Sequence, residues 1–106
     1  MISQPFSALS LNCANSEGST LDVLSFCCQN FQYAIICLQE PSLNKNKQPP
    51  KISGYDLFFP SSTTQKPRVA TYISQAFNFT PSLAHDSPTF LALELYLPNL
   101  TFTLYN

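Results

Sequence analysis

The chain has 106 residues, of which 44% are hydrophobic and 10% charged, and its formal net charge is −1. That apolar share excludes a disordered segment, the length suits one domain, and the near-neutral balance excludes a protein that meets nucleic acid through an overall basic surface. No stretch reaches the roughly 18 apolar residues of a membrane helix, and "MISQPFSALSLNC" lacks the basic start and unbroken apolar core of a secretory signal, so the expected location is intracellular.

In chain order, "FSALSLNC" alternates apolar and polar residues with a period near two and reads as a strand from Phe6 to about Asn12. "SEGSTLDVLSFCCQNF" follows, placing Leu21, Leu24, Cys28 and Phe31 at helical spacing. Ser19 is its expected N-cap, with Asp22 three residues on as an approximate capping box. Tyr33 to Leu38 is short and apolar on both faces, the pattern of a strand buried between two layers. A strand, helix and strand joined at this length favour a parallel pair. Cys13, Cys27, Cys28 and Cys37 all lie in apolar segments and lack the paired short spacings of a zinc site, so buried, reduced thiols are expected.

Pro41 ends the second strand. A proline- and lysine-rich loop leads to "YDLFFP", and a polar loop leads to "RVATYIS"; both apolar segments read as strands. "PSLAHDSP", with His85 and Asp86, reads as a loop between prolines and serines. "TFLALELYLP" and "LTFTLYN" read as a hairpin whose last strand keeps an open edge. One helix and about six strands define an α+β chain, with no internal repeat and no second domain.

Two features invite chemistry. Glu40 sits at the tip of the most apolar segment, where an unpaired buried carboxylate would cost several kcal/mol, so it either lies just outside the core or meets a cation. Lys45, Lys47, Lys51, Lys66 and Arg68, all the basic residues present, fall between positions 45 and 68. They form a solvated loop or a local basic patch. Asn12 ends the first strand, where asparagine commonly bonds to the turning backbone, and Asn15 would serve there equally well.

The segments "LNC", "LQEP" and "PRVATYI", in that order, resemble the start of the endonuclease/exonuclease/phosphatase superfamily, and within it the apurinic-type endonuclease domain of fungal non-LTR retrotransposons. The resemblance runs from about Leu9 to Asn106. It implies the N-terminal half of a four-layer α/β/β/α sandwich with mixed sheets, so that residues 1–106 form one domain incomplete at its C-terminus. By the same resemblance Glu40 and Asn12 are catalytic and metal-binding residues for Mg2+, with Mn2+ as a substitute. Arg68, Lys66, Lys45 and Lys47 are the candidates for contact with duplex DNA, which would be met in the nucleus. The family's downstream Asp-x-Asn and Ser-Asp-His motifs are not in this sequence, so the implied DNA-nicking hydrolase is expected to be inactive alone. Two alternatives stand beside it: a non-catalytic module that associates with itself through an open sheet edge, and a phosphatase or RNA exonuclease of the same superfamily.

Overall fold

The computed structural model describes residues 7–30, 33–61 and 65–106. The expected strand start at Phe6 and the helical Phe31 lie outside them. Strand β1 (Ser7–Asn12) leads into helix α1 (Glu17–Asn30), which returns the chain to β2 (Tyr33–Gln39). β3 (Tyr55–Phe58), β4 (Val69–Ser74), β5 (Thr80–Ser87), β6 (Phe90–Leu97) and β7 (Leu100–Tyr105) follow. They form a four-stranded sheet in the order β1-β2-β4-β3 and a three-stranded sheet in the order β5-β6-β7. β1 and β2 are parallel, as the helical crossover requires, and every other pairing is antiparallel. The fold is α+β, with one helix and seven strands among the described residues.

Alternation along β2 and β4 explains the layering. Ile36, Leu38, Ala70 and Tyr72 face α1 and pack with Cys13, Leu24, Cys27 and Tyr55. Ile35, Cys37, Val69 and Ile73 face the other way and pack against Leu91, Leu93 and Leu95 of β6. The two central strands are thus buried on both sides, and the second sheet stacks on the first through its leucine face. The four cysteines are free, and three of them are buried.

Three expectations change. The N-cap is Ser16, not Ser19: the Ser16 Oγ accepts from the Ser19 backbone N–H at 3.1 Å, with Glu17 in the first turn. Its inward stripe is Thr20, Leu24 and Cys27, whereas Leu21 is 48% exposed. Buried Thr20 is admitted because its hydroxyl donates to the Ser16 carbonyl and accepts from the Ser42 N–H, so no polar atom is stranded. "PSLAHDS" is strand, not loop. Its proline and serines give it a loop's composition, but it pairs with β6 across a bulge between Leu83 and His85, and the Asp86 carboxylate accepts from both the backbone N–H and the hydroxyl of Ser61.

Candidate functional site

β1 and β2 are parallel, so both end at the same rim of the first sheet, where antiparallel β4 begins. At that rim the backbone turns sharply. Ala14 and Asn15 have φ of 51° and 61°, and Glu40 has φ of 50°, three non-glycine residues in the left-handed region. Such conformations persist only where the surroundings over-determine them. Here Asn12 Oδ1 accepts from the Ala14 N–H at 2.8 Å, while the Cys13 and Asn15 N–H groups donate to the Gln39 and Glu40 carbonyls, each at 2.8 Å. The Glu40 N–H donates to the Arg68 carbonyl at 2.7 Å, and the Arg68 N–H to the Pro88 carbonyl at 2.9 Å. Four segments that are remote in sequence are therefore stitched together through their main chains.

The side chains converge as well. Arg68 Nη2 stands 2.7 Å from Glu40 Oε1, and Asn15 Nδ2 donates to Glu40 Oε2 at 3.2 Å. Both partners of the ion pair keep solvent access, with side-chain exposures of 58% and 32%. An ion pair this exposed contributes little to stability, on the order of 0–1 kcal/mol, but it fixes where the carboxylate points. Asn15, Glu40, Lys66 and Arg68, with Pro41 and Leu43, line an open depression of about 480 Å³.

Behind Glu40 a second network joins the two sheets. Gln39 Nε2 donates to Asn106 Oδ1 at 2.8 Å and to Ser10 Oγ at 3.2 Å. Asn106 Nδ2 donates to the Ala70 carbonyl and to Thr71 Oγ1, both at 2.9 Å. Its own backbone exchanges two hydrogen bonds with Leu91 of β6, so one residue is held by both sheets.

Of the residues singled out in the sequence, Glu40, Arg68 and Lys66 share the depression. Asn12 lies beside Gln39 in the β1–β2 register, but its amide oxygen serves the turn, and Asn15 is the asparagine that reaches the carboxylate. Lys45 and Lys47 are exposed on a tight turn built on Asn44, whose Oδ1 accepts from the Asn46 and Gln48 N–H groups; neither lines the depression. His85, the sole histidine, packs its ring against Phe90 at 4.9 Å between centroids. The Glu40–Arg68 pair and the role of Asn106 were not anticipated. No signal in the sequence marks the pair: it forms because Gln39 is registered against Val69, which sets Glu40 beside Arg68.

The donor set limits the cation it suits. No group of three or more histidine, cysteine or acidic residues occurs among the described residues, so the corner offers one carboxylate. Zinc or calcium would need more protein ligands, whereas magnesium keeps several waters and takes one or two carboxylates. The residues present fit magnesium, provided Arg68 yields Oε1.

No protein-family model matches the sequence, and no curated protein is similar to it. Among solved structures, the fold is similar to the endonuclease domain of TRAS1, a telomere-specific non-LTR retrotransposon. The TM-score is 0.74 with 13% identity, over 96% of this chain and 45% of that one. At that identity the likeness is one of fold, and this chain spans less than half the length of its counterpart. No helix among the described residues is long and apolar enough to cross a membrane.

Proposed function

We propose that this chain carries part of the metal- and phosphate-facing corner of a retroelement endonuclease domain, of the fungal non-LTR type within the endonuclease/exonuclease/phosphatase superfamily, with duplex DNA as its partner. The carrying observation is the convergence of Asn15, Glu40, Lys66 and Arg68 at the rim where β1, β2 and β4 meet, in a fold similar to an endonuclease domain. Glu40 is the ligand for Mg2+, or for Mn2+ in its place. A bound ion would polarise a phosphoryl oxygen of the nucleic acid and offset its charge. Lys66 and Arg68 supply backbone-directed cations without base readout, so the binding they support is salt-sensitive and indifferent to sequence.

Binding is expected without hydrolysis. Attack on a phosphodiester needs a group that takes a proton from water at the reacting phosphorus, and His85 is instead engaged with Phe90 on β6. Fluorescence anisotropy with a labelled duplex in Mg2+ should show binding that weakens with salt and weakens further in Lys66→Ala. Binding equal in wild type and Lys66→Ala at every salt concentration would count against this surface. Magnesium-dependent nicking of a plasmid, lost in Glu40→Gln, would overturn the expectation of inactivity.

A specific observation favours a second reading, self-association through β7. Because Asn106 and Leu91 exchange both backbone hydrogen bonds, strand alternation turns the N–H and C=O groups of Thr101, Thr103 and Tyr105 away from β6. That edge pairs with no other strand among the described residues. It carries no charge, proline or bulge, the usual devices that discourage pairing, whereas β5 has Pro81, a bulge and Asp86. Two copies related by a two-fold axis at Thr103 would pair Thr101 with Tyr105 and place Phe102 beside Leu104. Sedimentation equilibrium should give a dimer that Thr103→Pro converts to monomer; a wild-type monomer at all concentrations would end this reading.

A further inference from the structure

Resting on the assignment of Glu40 as the cation's ligand, we infer that Arg68 is an exchangeable counter-cation: its guanidinium and a divalent ion compete for one carboxylate, and the ion's arrival frees Arg68 for a nucleic-acid phosphate. Arg68 Nη2 occupies Glu40 Oε1 at 2.7 Å, and Asn15 Nδ2 occupies Oε2. A magnesium ion binds carboxylate oxygen at roughly 2.0–2.1 Å, so sharing Oε1 with the guanidinium would set a divalent and a monovalent cation about 4 Å apart, where they repel and the weaker-held one is favoured to leave. The arrangement makes departure easy. The Arg68 side chain is 58% exposed, which keeps the pair weak.

Its backbone does not move with it, because the Arg68 N–H and C=O are bonded to Pro88 and Glu40. The released head group therefore stays at the mouth of the depression that Lys66 also lines, and its planar fork suits two phosphate oxygens. The cation and the polyanion then bind with positive coupling, since each favours the state in which Arg68 has left Glu40. Without the ion, the same pair neutralises Glu40 and fixes where its carboxylate points, while the main-chain bonds hold the corner.

The test measures Mn2+ binding by electron paramagnetic resonance of the free ion, on the full chain. Arg68→Gln should tighten binding by about fivefold, the effect expected from removing one exposed ion-pair partner. Lys66→Gln takes the same charge from the same depression and should change it less; equal effects of the two variants would reduce Arg68 to a general charge and overturn the exchange. Unchanged or weaker binding in Arg68→Gln, with Glu40→Gln abolishing binding, would overturn the exchange and leave Glu40 as a ligand. No Mn2+ binding in wild type, or undiminished binding in Glu40→Gln, would remove Glu40 as a ligand and the exchange with it. Wild-type protein gives an independent readout, because Arg68 is the sole arginine and its side-chain Nε–H yields one resonance. Mg2+ should shift that resonance along a curve with the ion's own affinity, and a signal that stays put while Mg2+ binds would refute the exchange.

Discussion

Replacing Asn106 tests whether the two sheets are joined by one amide. Asn106→Ala removes three side-chain hydrogen bonds at 2.8–2.9 Å, to Gln39, Ala70 and Thr71. At a net value of about 0.5–1.5 kcal/mol each, the loss is about 1.5–4.5 kcal/mol. With an unfolding entropy of about 2.1 cal/mol/K per residue, a chain of 106 residues loses about 4–5 °C of Tm per kcal/mol, so the expected fall is about 7–20 °C. Asn106→Asp separates this argument from simple loss of packing. The new carboxylate keeps the shape but points an acceptor at the Ala70 carbonyl, so at pH 7 it should destabilise more than alanine does. A neutral, protonated Asp could donate there, which raises its folded pKa above the ordinary value of about 3.9. The folded state then binds the proton more tightly than the unfolded state. The deficit should be small below that ordinary value and grow as pH rises through the raised one. Urea unfolding of both variants from pH 3 to pH 8 measures it. An aspartate no worse than alanine at pH 7, or one whose deficit is flat with pH, would refute the donor role of Asn106.

Three further outcomes follow from the packing. Ser16→Ala should lower stability by about 1 kcal/mol in a urea titration, because it removes the acceptor for the Ser19 N–H, whereas Ser19→Ala should have little effect. Burial pushes the Cys37 thiol up to about 11, eased by a hydrogen bond with Thr71, and burial with the adjacent Cys28 also raises Cys27. A thiol reagent at pH 8 should therefore find one fast site, the partly exposed Cys28, and the other three only in denaturant; a fast phase that survives Cys28→Ser would contradict this. Burial, with Cys13 nearby, pushes the Tyr72 phenol well above its ordinary range, and its hydroxyl donates to the Pro50 carbonyl at 2.7 Å. The folded state holds that proton more tightly, so this contribution is intact below about pH 10 and is lost as pH rises further. Tyr72→Phe should cost about 1 kcal/mol at neutral pH and flatten the alkaline decline.

The central strands were the most legible part of the sequence. Tyr33 to Leu38 is short and apolar at every position, which suits a strand covered on both faces better than a surface strand, and that is where β2 lies. The parallel pairing of β1 with β2 followed from the helix between them. β5 was hidden because Pro81, Ser82 and Ser87 give it a loop's composition while every residue but Ala84, at the bulge, is registered against β6. Local propensity yields to tertiary pairing in such a strand. The N-cap slipped by three residues because Ser16 and Ser19 are chemically equal caps. Cys13 settles the choice: its carbonyl accepts the Ser16 N–H and closes the turn there. Arg68 could not be assigned from sequence, since its partner lies 28 residues away and meets it only through the β2–β4 register.

That last case explains why the site is harder to read than the sheet beneath it. Strand cores announce themselves through periodic apolar residues, each adding a small, similar amount of burial. The rim is built where periodicity stops, from backbone groups that no longer have ladder partners and must find others. Ala14, Asn15 and Glu40 accept left-handed conformations to do so, and their bonds run between Gln39, Glu40, Arg68 and Pro88 rather than along any one segment. The question posed by a carboxylate at the tip of an apolar strand then has a physical answer. Glu40 leaves the core by a backbone turn, stays about one-third exposed, and meets a cation on the neighbouring strand. Because that cation is a side chain with solvent access rather than a buried partner, replacing it requires no rearrangement of the two cores below. This is what lets a weak surface pair act as the adjustable element of an otherwise fixed corner.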